Sequence, residues 1–472
     1  MRQGTAAGRQ ITILAYGSRG DVQPYLALAL GLARAGHDVR LAAPALFEPL
    51  AREYPSPGPG RVEFFALPGD PTRLMRSAAS GSPLGMLLPA SLRQGMTVAG
   101  FVAPLARQLI DSARAACQGS DLIVHTLLTT VIGHQLAREC RARDLSALVF
   151  PVFSPTGSFP NPLFSPWPGW MRRFGRRAAA FGPRYHYLTH REFNRVFWHA
   201  NRLAIGMMRL RHPELAPLRE WPFEWPDKHL PAGLLPAGYP SALSQGGCPT
   251  QPTPILYGIS RHALPSPTEW QQSCSLTGYW FLDAPSGWRP PDALQRFLDA
   301  GSPPVFIGFG SVISSEAGRL ARAAVEALRR TGQRGVLLTG WGGLAAGGTN
   351  AGLPATIYAL DEIPFDWLFP RLAAAVHHGG VNTTAAALRA GIPSLAAPFA
   401  FDQPFWGRQL YALGAGPAPI PPRRLNADRL ADAIDQMLHD PAMRARAAGL
   451  GEAIRAEDGV GNAVRGMESA LA

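Results

Sequence analysis

Cysteine is scarce in this chain. Its 472 residues hold four, Cys117, Cys140, Cys248 and Cys274, widely spaced, with no C-x-x-C pair and no clustered histidine beside them. That spacing excludes a zinc ribbon or finger, and the thiols read as reduced and buried. Charged residues make up only 17% of the chain against 46% apolar ones, which excludes a largely disordered protein. Long apolar runs are missing as well. The first, Ile11 to Tyr16, is far too short for a signal-peptide core, and no stretch of about 18 apolar residues follows it. The expectation is a cytoplasmic protein that crosses no membrane, with peripheral membrane contact left open. A formal charge of +12, mostly arginine, permits an anionic partner. No aromatic and basic repeat or RNA-binding signature accompanies it, so nucleic acid is set aside and a nucleotide phosphate is the economical anion.

What is present is length, punctuation and alternation. The chain exceeds what one core usually serves, so two domains are expected. In the N-terminal third, apolar runs at Ile11–Tyr16, Val39–Ala43, Leu122–Val124 and Ala147–Phe150 alternate with helical patterns over Val22–Ala35 and Thr130–Arg141. After a segment rich in proline and glycine over 283–303, the alternation restarts with Val305–Ile307, Val336–Leu338, Thr356–Tyr358, Ala373–Val376 and Ser394–Ala397. Strands alternating with helices predict two mostly parallel sheets, covered on both faces, with a ligand cleft between them. Between them, 159–252 changes to tryptophan, proline and arginine. One helix there gathers Phe193, Val196, Phe197, Ala200, Ala204, Met207 and Met208 on a single face, away from Arg195, Arg202 and Arg209. That face is expected to pack on the first domain; the alternative is that it lines an acceptor channel or rests on a membrane.

Four short segments carry candidate chemistry. In Val376–Thr384 a strand runs into a glycine turn and hydroxyl residues open a helix. Backbone N–H groups and the positive helix end there suit a pyrophosphate, with His378 as an added donor; the plain alternative is an ordinary turn capped by Asn382 or Thr383. Asp402 and Gln403 follow the next strand and suit vicinal sugar hydroxyls, although Asp402 equally suits a helix cap. A second glycine turn, Gly308–Ser311, lacks the third glycine of a dinucleotide fingerprint, which counts against an oxidoreductase. Thr339–Gly343 offers Trp341 to a nucleobase or to packing. In Gly17–Pro24, after the first strand, Asp21 sits where a helix dipole keeps it ionised, as a general base or merely as a cap. His125 and His134 are second candidates for the base and are more often structural.

Together these segments resemble family 1 glycosyltransferases, above all the branch with sterol glucosyltransferases and bacterial natural-product glycosyltransferases. The likeness spans most of the chain and includes Gly17–Pro24, Ile255–Ser260, Thr277–Phe281, Phe306–Ser311, Gly340–Gly343, Phe365–Pro370, His377–Thr384 and Asp402–Gly407 in order. It implies a GT-B fold: an acceptor-binding Rossmann-like domain over 1–282 with its variable region at 159–252, a linker over 283–303, and a nucleotide-sugar-binding Rossmann-like domain over 304–472 whose last helix packs back on the first domain. It implies inverting, metal-independent transfer with Asp21 as base and no cofactor, no D-x-D metal motif being present. Ser311, His378, Gly380, Asn382 and Thr383 would hold the diphosphate, Asp402 and Gln403 the sugar, and Trp341 with the Ile363 region the base. Ser18, Arg19, His125 and Thr126 are the acceptor-region candidates. Two departures stand out: Val381-Asn382 replaces an Ala-Gly common in bacterial members, and Phe365 stands where many relatives have histidine. The implied reaction moves a hexose from UDP-glucose to a lipophilic hydroxyl. A dTDP-deoxysugar donor, or a relative that binds such ligands without transfer, is the alternative.

Overall fold

The computed structural model describes residues 8–71, 106–163, 175–210, 217–218, 221–223, 252–270, 274–309, 317–338 and 353–471. The chain divides into two compact units, one of residues 1–261, 265–282 and 458–472 and the other of residues 262–264 and 283–457.

Unit 1 runs β1 (Gln10–Leu14), α1 (Arg19–Arg34), β2 (Asp38–Pro44), β3 (Val62–Leu67), α2 (Ala106–Cys117), β4 (Leu122–His125), α3 (Thr130–Cys140), β5 (Arg143–Leu148), α4 (Gly175–Arg209), β6 (Ile255–Tyr257) and β7 (Cys274–Leu276). These strands form one parallel sheet in the order β3-β2-β1-β4-β5-β6-β7. The central strands are mostly apolar because both faces are covered: Ile11, Ile13 and Leu14 in β1 and Leu122, Ile123 and Val124 in β4 are all buried.

Unit 2 repeats the plan with α5 (Asp292–Asp299), β8 (Val305–Gly308), α6 (Ala317–Thr331), β9 (Gly335–Leu338), β10 (Ile357–Leu360), β11 (Ala374–His377), α7 (Val381–Ala390), β12 (Ser394–Ala396), α8 (Gln403–Ala412), α9 (Ala427–His439) and α10 (Pro441–Arg455). Its parallel order is β10-β9-β8-β11-β12. Within 283–303, read above as linker, α5 buries Leu294 and Leu298 in the unit 2 core. The final helix, α11 (Gly459–Leu471), belongs to unit 1. It lies across α1 at Gly31, where an added Cβ would fall 2.3 Å from Val460 Cγ1. Asn462 Nδ2 also donates to Thr277 O at 2.9 Å. Among the described residues, no helix is long and apolar enough to cross a membrane.

The face predicted for α4 is corrected. Val196 is 40% and Met207 55% exposed, whereas Asn194, Trp198 and Ile205 are buried. Apolar periodicity failed because the packed face is partly polar. Asn194 Nδ2 donates to Phe153 O at 3.2 Å, and His190 Nε2 bonds Phe159 O at 3.1 Å. Phe193 and Phe197 flank that face and touch Phe153, with ring centroids 5.9 and 5.1 Å away.

Candidate active site

An open parallel sheet leaves a crevice at the carboxyl ends of the two strands where its winding reverses. Unit 1 reverses between β1 and β4, and unit 2 between β8 and β11. Ser18, Arg19 and Asp21 follow β1, and Thr126 follows β4; His378, Gly380, Asn382 and Thr383 follow β11. Ser311, after β8, and Trp341 lie outside the described residues.

Asp21 stands in the first turn of α1. The Ser18 amide and hydroxyl both donate to its Oδ2, each at 2.8 Å. No hydrogen bond among the described residues falls on Oδ1, so that oxygen is left to accept a proton. This approach demands glycine at 17, where φ is 147° and an added Cβ would fall 2.5 Å from Asp21 Oδ2. Burial raises the Asp21 carboxyl above its ordinary value, opposed by the two Ser18 bonds. A raised pKa makes a stronger base. One turn on, Tyr25 anchors the helix by donating to Ala147 O at 2.9 Å.

The acceptor-region candidates differ in reach. Ser18 is half-buried and committed to Asp21, while Arg19 is exposed. Thr126 is buried; its amide donates to Thr129 Oγ1 at 2.8 Å, and Thr129 Oγ1 donates to Leu14 O at 2.7 Å, tying the ends of β4 and β1. His125 turns into the interior, packed on Gly133, with Nε2 3.5 Å from Asp144 Oδ2. The same Oδ2 accepts His134 Nδ1 at 2.7 Å and Thr253 Oγ1 at 2.8 Å. Burial, only partly offset by Asp144, lowers the His125 pKa and keeps the ring neutral. Burial alone would raise Asp144, but the hydrogen bonds it accepts outweigh burial and hold the carboxyl well below the ordinary range.

In unit 2, β11 ends at His377, and Gly379 turns the chain at φ 85° into α7. The cap of α7 is Gly380, with no side-chain hydrogen bond to the first turn. By contrast Asn426 Oδ1 caps α9 through Arg429 N at 3.0 Å, and Asp440 Oδ1 caps α10 through Ala442 N at 2.9 Å. The start of α7 thus has no cap side chain standing between its positive dipole end and an anion. The half-buried His378 ring lies over Gly380, where an added Cβ would fall 2.4 Å from its Nε2, and its Nδ1 is buried without a hydrogen-bond partner among the described residues. Burial lowers His378 to about 4, so the ring is neutral. Asn382 is half-buried and Thr383 buried in that first turn.

Asp402 occupies the cap position of α8 but makes no capping bond, and Phe401 before it has φ 55°. A side chain other than glycine in that region costs about 1–2 kcal/mol, so the surrounding structure holds the turn. Buried Gln403 departs from the symmetrical role its amide suggested: its Oε1 accepts Phe399 N at 2.7 Å and Ala400 N at 3.0 Å, leaving the NH2 as what it can offer a ligand. Ile363 buries its side chain in the core, so only its backbone could meet a base. Phe365 stacks on Phe369 with ring centroids 4.4 Å apart, which makes it a packing residue. Residue patterns missed His377, which bonds the turn itself. Its signal was the doubled histidine ahead of the glycines.

Two sheets with such ends define a class. The Streptomyces sp. SF2575 glycosyltransferase SsfS6, solved with thymidine diphosphate, superposes with a TM-score of 0.58 at 17% identity over 98% of this chain and 99% of that one. The shared architecture is GT-B. Residues 11–73 match the glycosyltransferase family 28 N-terminal domain, and 345–464 match the C-terminal domain of erythromycin biosynthesis protein CIII-like proteins. The chain is 34% identical over 466 residues to the O-mycaminosyltylonolide 6-deoxyallosyltransferase of Streptomyces fradiae, covering 96% of each. It is 33% identical over 471 residues to the sterol 3-beta-glucosyltransferase of Neosartorya fischeri, covering 98% of this chain and 29% of that longer protein. The chain belongs to the glycosyltransferase family that contains these macrolide and sterol glycosyltransferases.

Proposed function

We propose that the chain moves a hexose, glucose from UDP-glucose, to a hydroxyl of a lipophilic acceptor such as a sterol, macrolide or other natural product, with inversion and without a metal. One observation carries this reading. One sheet reversal presents a carboxylate with an oxygen that no described residue bonds, and the other a helix start whose cap residue is a glycine and so offers no side chain of its own. Glycosyl transfer needs both, a base for the acceptor hydroxyl and a cradle for the leaving diphosphate.

In this scheme Asp21 Oδ1 takes the hydroxyl proton as the acceptor oxygen bonds to the anomeric carbon. The bond from that carbon to the phosphate oxygen breaks, and the diphosphate leaves carrying the electron pair. The first turn of α7, with His378, Gly380, Asn382 and Thr383, stabilises its growing charge, as does Ser311, which follows β8 in sequence. Such a cradle does the electrostatic work a divalent cation would otherwise do. Asp402 accepts from sugar hydroxyls and Gln403 donates to them through its NH2. Trp341 and the Ile363 backbone hold the base. Ser18, Arg19 and Thr126 border the acceptor.

A dTDP-deoxysugar donor is the second reading. It is favoured by the Streptomyces fradiae relative, named as a deoxyallosyltransferase, and by the thymidine diphosphate in SsfS6. Purified protein should be titrated with UDP and dTDP by calorimetry and then given UDP-glucose or dTDP-sugars with an acceptor library, product being read as the mass gain of one sugar. Absence of binding to both nucleotides would remove the proposal; the sugar transferred decides between the donors.

A further inference from the structure

We propose that His377, buried at the end of β11, is a positioning residue that fixes the diphosphate turn by accepting the Gly379 amide hydrogen; this rests on the donor site assigned above. The Gly379 N–H donates to His377 Nδ1 at 3.0 Å. An accepting Nδ1 puts the ring proton on Nε2, and Nε2 is buried with no hydrogen-bond partner among the described residues. A stranded donor in the interior is destabilising, and a phenylalanine of similar bulk would fill the space without one. What a phenylalanine lacks is the acceptor two bonds from Cβ that holds Gly379.

That hold is consequential because Gly379 has little room. At φ 85° its α-carbon faces the first carbonyl of α8: an added Cβ would fall 3.0 Å from Gln403 O and 3.3 Å from Ala396 Cβ. The residue is fixed by His377 on one side and abuts the sugar-side helix on the other, with Gly380 and the open start of α7 following at once. Releasing the Gly379 amide frees the turn to rotate away from the geometry in which the α7 N–H groups converge on phosphate. Burial, with the nearby His378 adding to it, holds His377 down at about 3, so the ring accepts across the neutral range.

The test separates ring volume from each nitrogen. Asparagine places its Oδ1 where Nδ1 stands; glutamine places a donor nearer Nε2; phenylalanine keeps the ring alone. UDP and dTDP binding by calorimetry, with donor and acceptor KM and kcat, are measured for wild type, His377→Phe, His377→Asn and His377→Gln, with thermal melts as the folding control. The expected result is at least a tenfold loss of nucleotide affinity and a matching rise in donor KM in His377→Phe, with acceptor KM unchanged, and recovery in His377→Asn but not in His377→Gln. Wild-type affinity in His377→Phe overturns the inference while leaving the donor site intact. If His377→Phe does not fold, equal affinities in the Asn and Gln variants overturn it. Wild type that binds neither nucleotide overturns the donor site and this inference with it.

Discussion

The two units begin a helix in the same way and finish the job differently. In both, a central strand ends in a glycine of positive φ, Gly17 after β1 and Gly379 after β11, and a helix starts at once. The start of α1 is closed by its own carboxylate, Asp21, which Ser18 grips twice. The start of α7 has Gly380 at its cap, a residue with no side chain to close it. A start that satisfies itself can hold a negative charge of its own; an open one must borrow a charge from a ligand. The same strand, glycine and helix, differing in the cap and first-turn side chains, thus yields a candidate base in one half and a candidate diphosphate cradle in the other.

The largest effect should come from neutralising the closed start. Asp21→Asn keeps the size and removes the base, so kcat should fall about 10²–10⁴-fold with UDP or dTDP affinity unchanged, read by single-turnover assays beside calorimetry. Undiminished turnover would assign the base elsewhere. Next, Gly380→Asp turns the open start into the closed kind. Aspartate is a good helix cap, but its Cβ would fall 2.4 Å from His378 Nε2, so the ring must swing aside; donor binding should weaken by at least about 1.5–3 kcal/mol as the carboxylate takes the place of phosphate and His378 is displaced. A stable variant with normal donor affinity would break the comparison.

Asp144→Asn tests whether the buried histidine pair shares the base's work. It should lower stability by about 1–2 kcal/mol in urea denaturation at neutral pH, because His134 and Thr253 lose a charged acceptor. The Asp144 pKa is depressed in the fold, so this contribution is fully present above the ordinary carboxylate range and is lost as pH falls through the folded value; the gap between wild type and variant should narrow in acid. The acidic limb of kcat should not move. A moving limb would bring His125 or His134 into catalysis. The smallest effect is expected of Ser18→Ala. Its hydroxyl bond lowers the Asp21 pKa, so removing it should shift the acidic limb of the kcat profile to higher pH, with under about tenfold loss at the plateau.

Much of this frame was legible in the residues. The strands read from apolar runs, β1, β2, β4, β5 and β8 to β12, each carry buried apolar residues, and their sequence records that burial directly. β3 was not legible because Glu63 and Ala66 are exposed on a sheet edge, and β6 and β7 are three residues each. The candidate site divides the same way. Glycine turns and helix starts are local, so Asp21 and the segment from His378 to Thr383 could be placed at strand ends from sequence. How their side chains are spent is decided by tertiary contacts: Ser18 on Asp21, the Gln403 carbonyl on the turn before it, Phe365 on Phe369, and His377 on Gly379. Residue type alone carries no record of these.

The seating of α11 on α1 has a consequence for biosynthesis. Unit 1 is discontinuous, and the ribosome must complete all of unit 2 before Val460 and Val464 exist to cover Gly31. Until then the helix that holds Asp21 waits with that flank bare, in a nascent chain whose later half can already have folded.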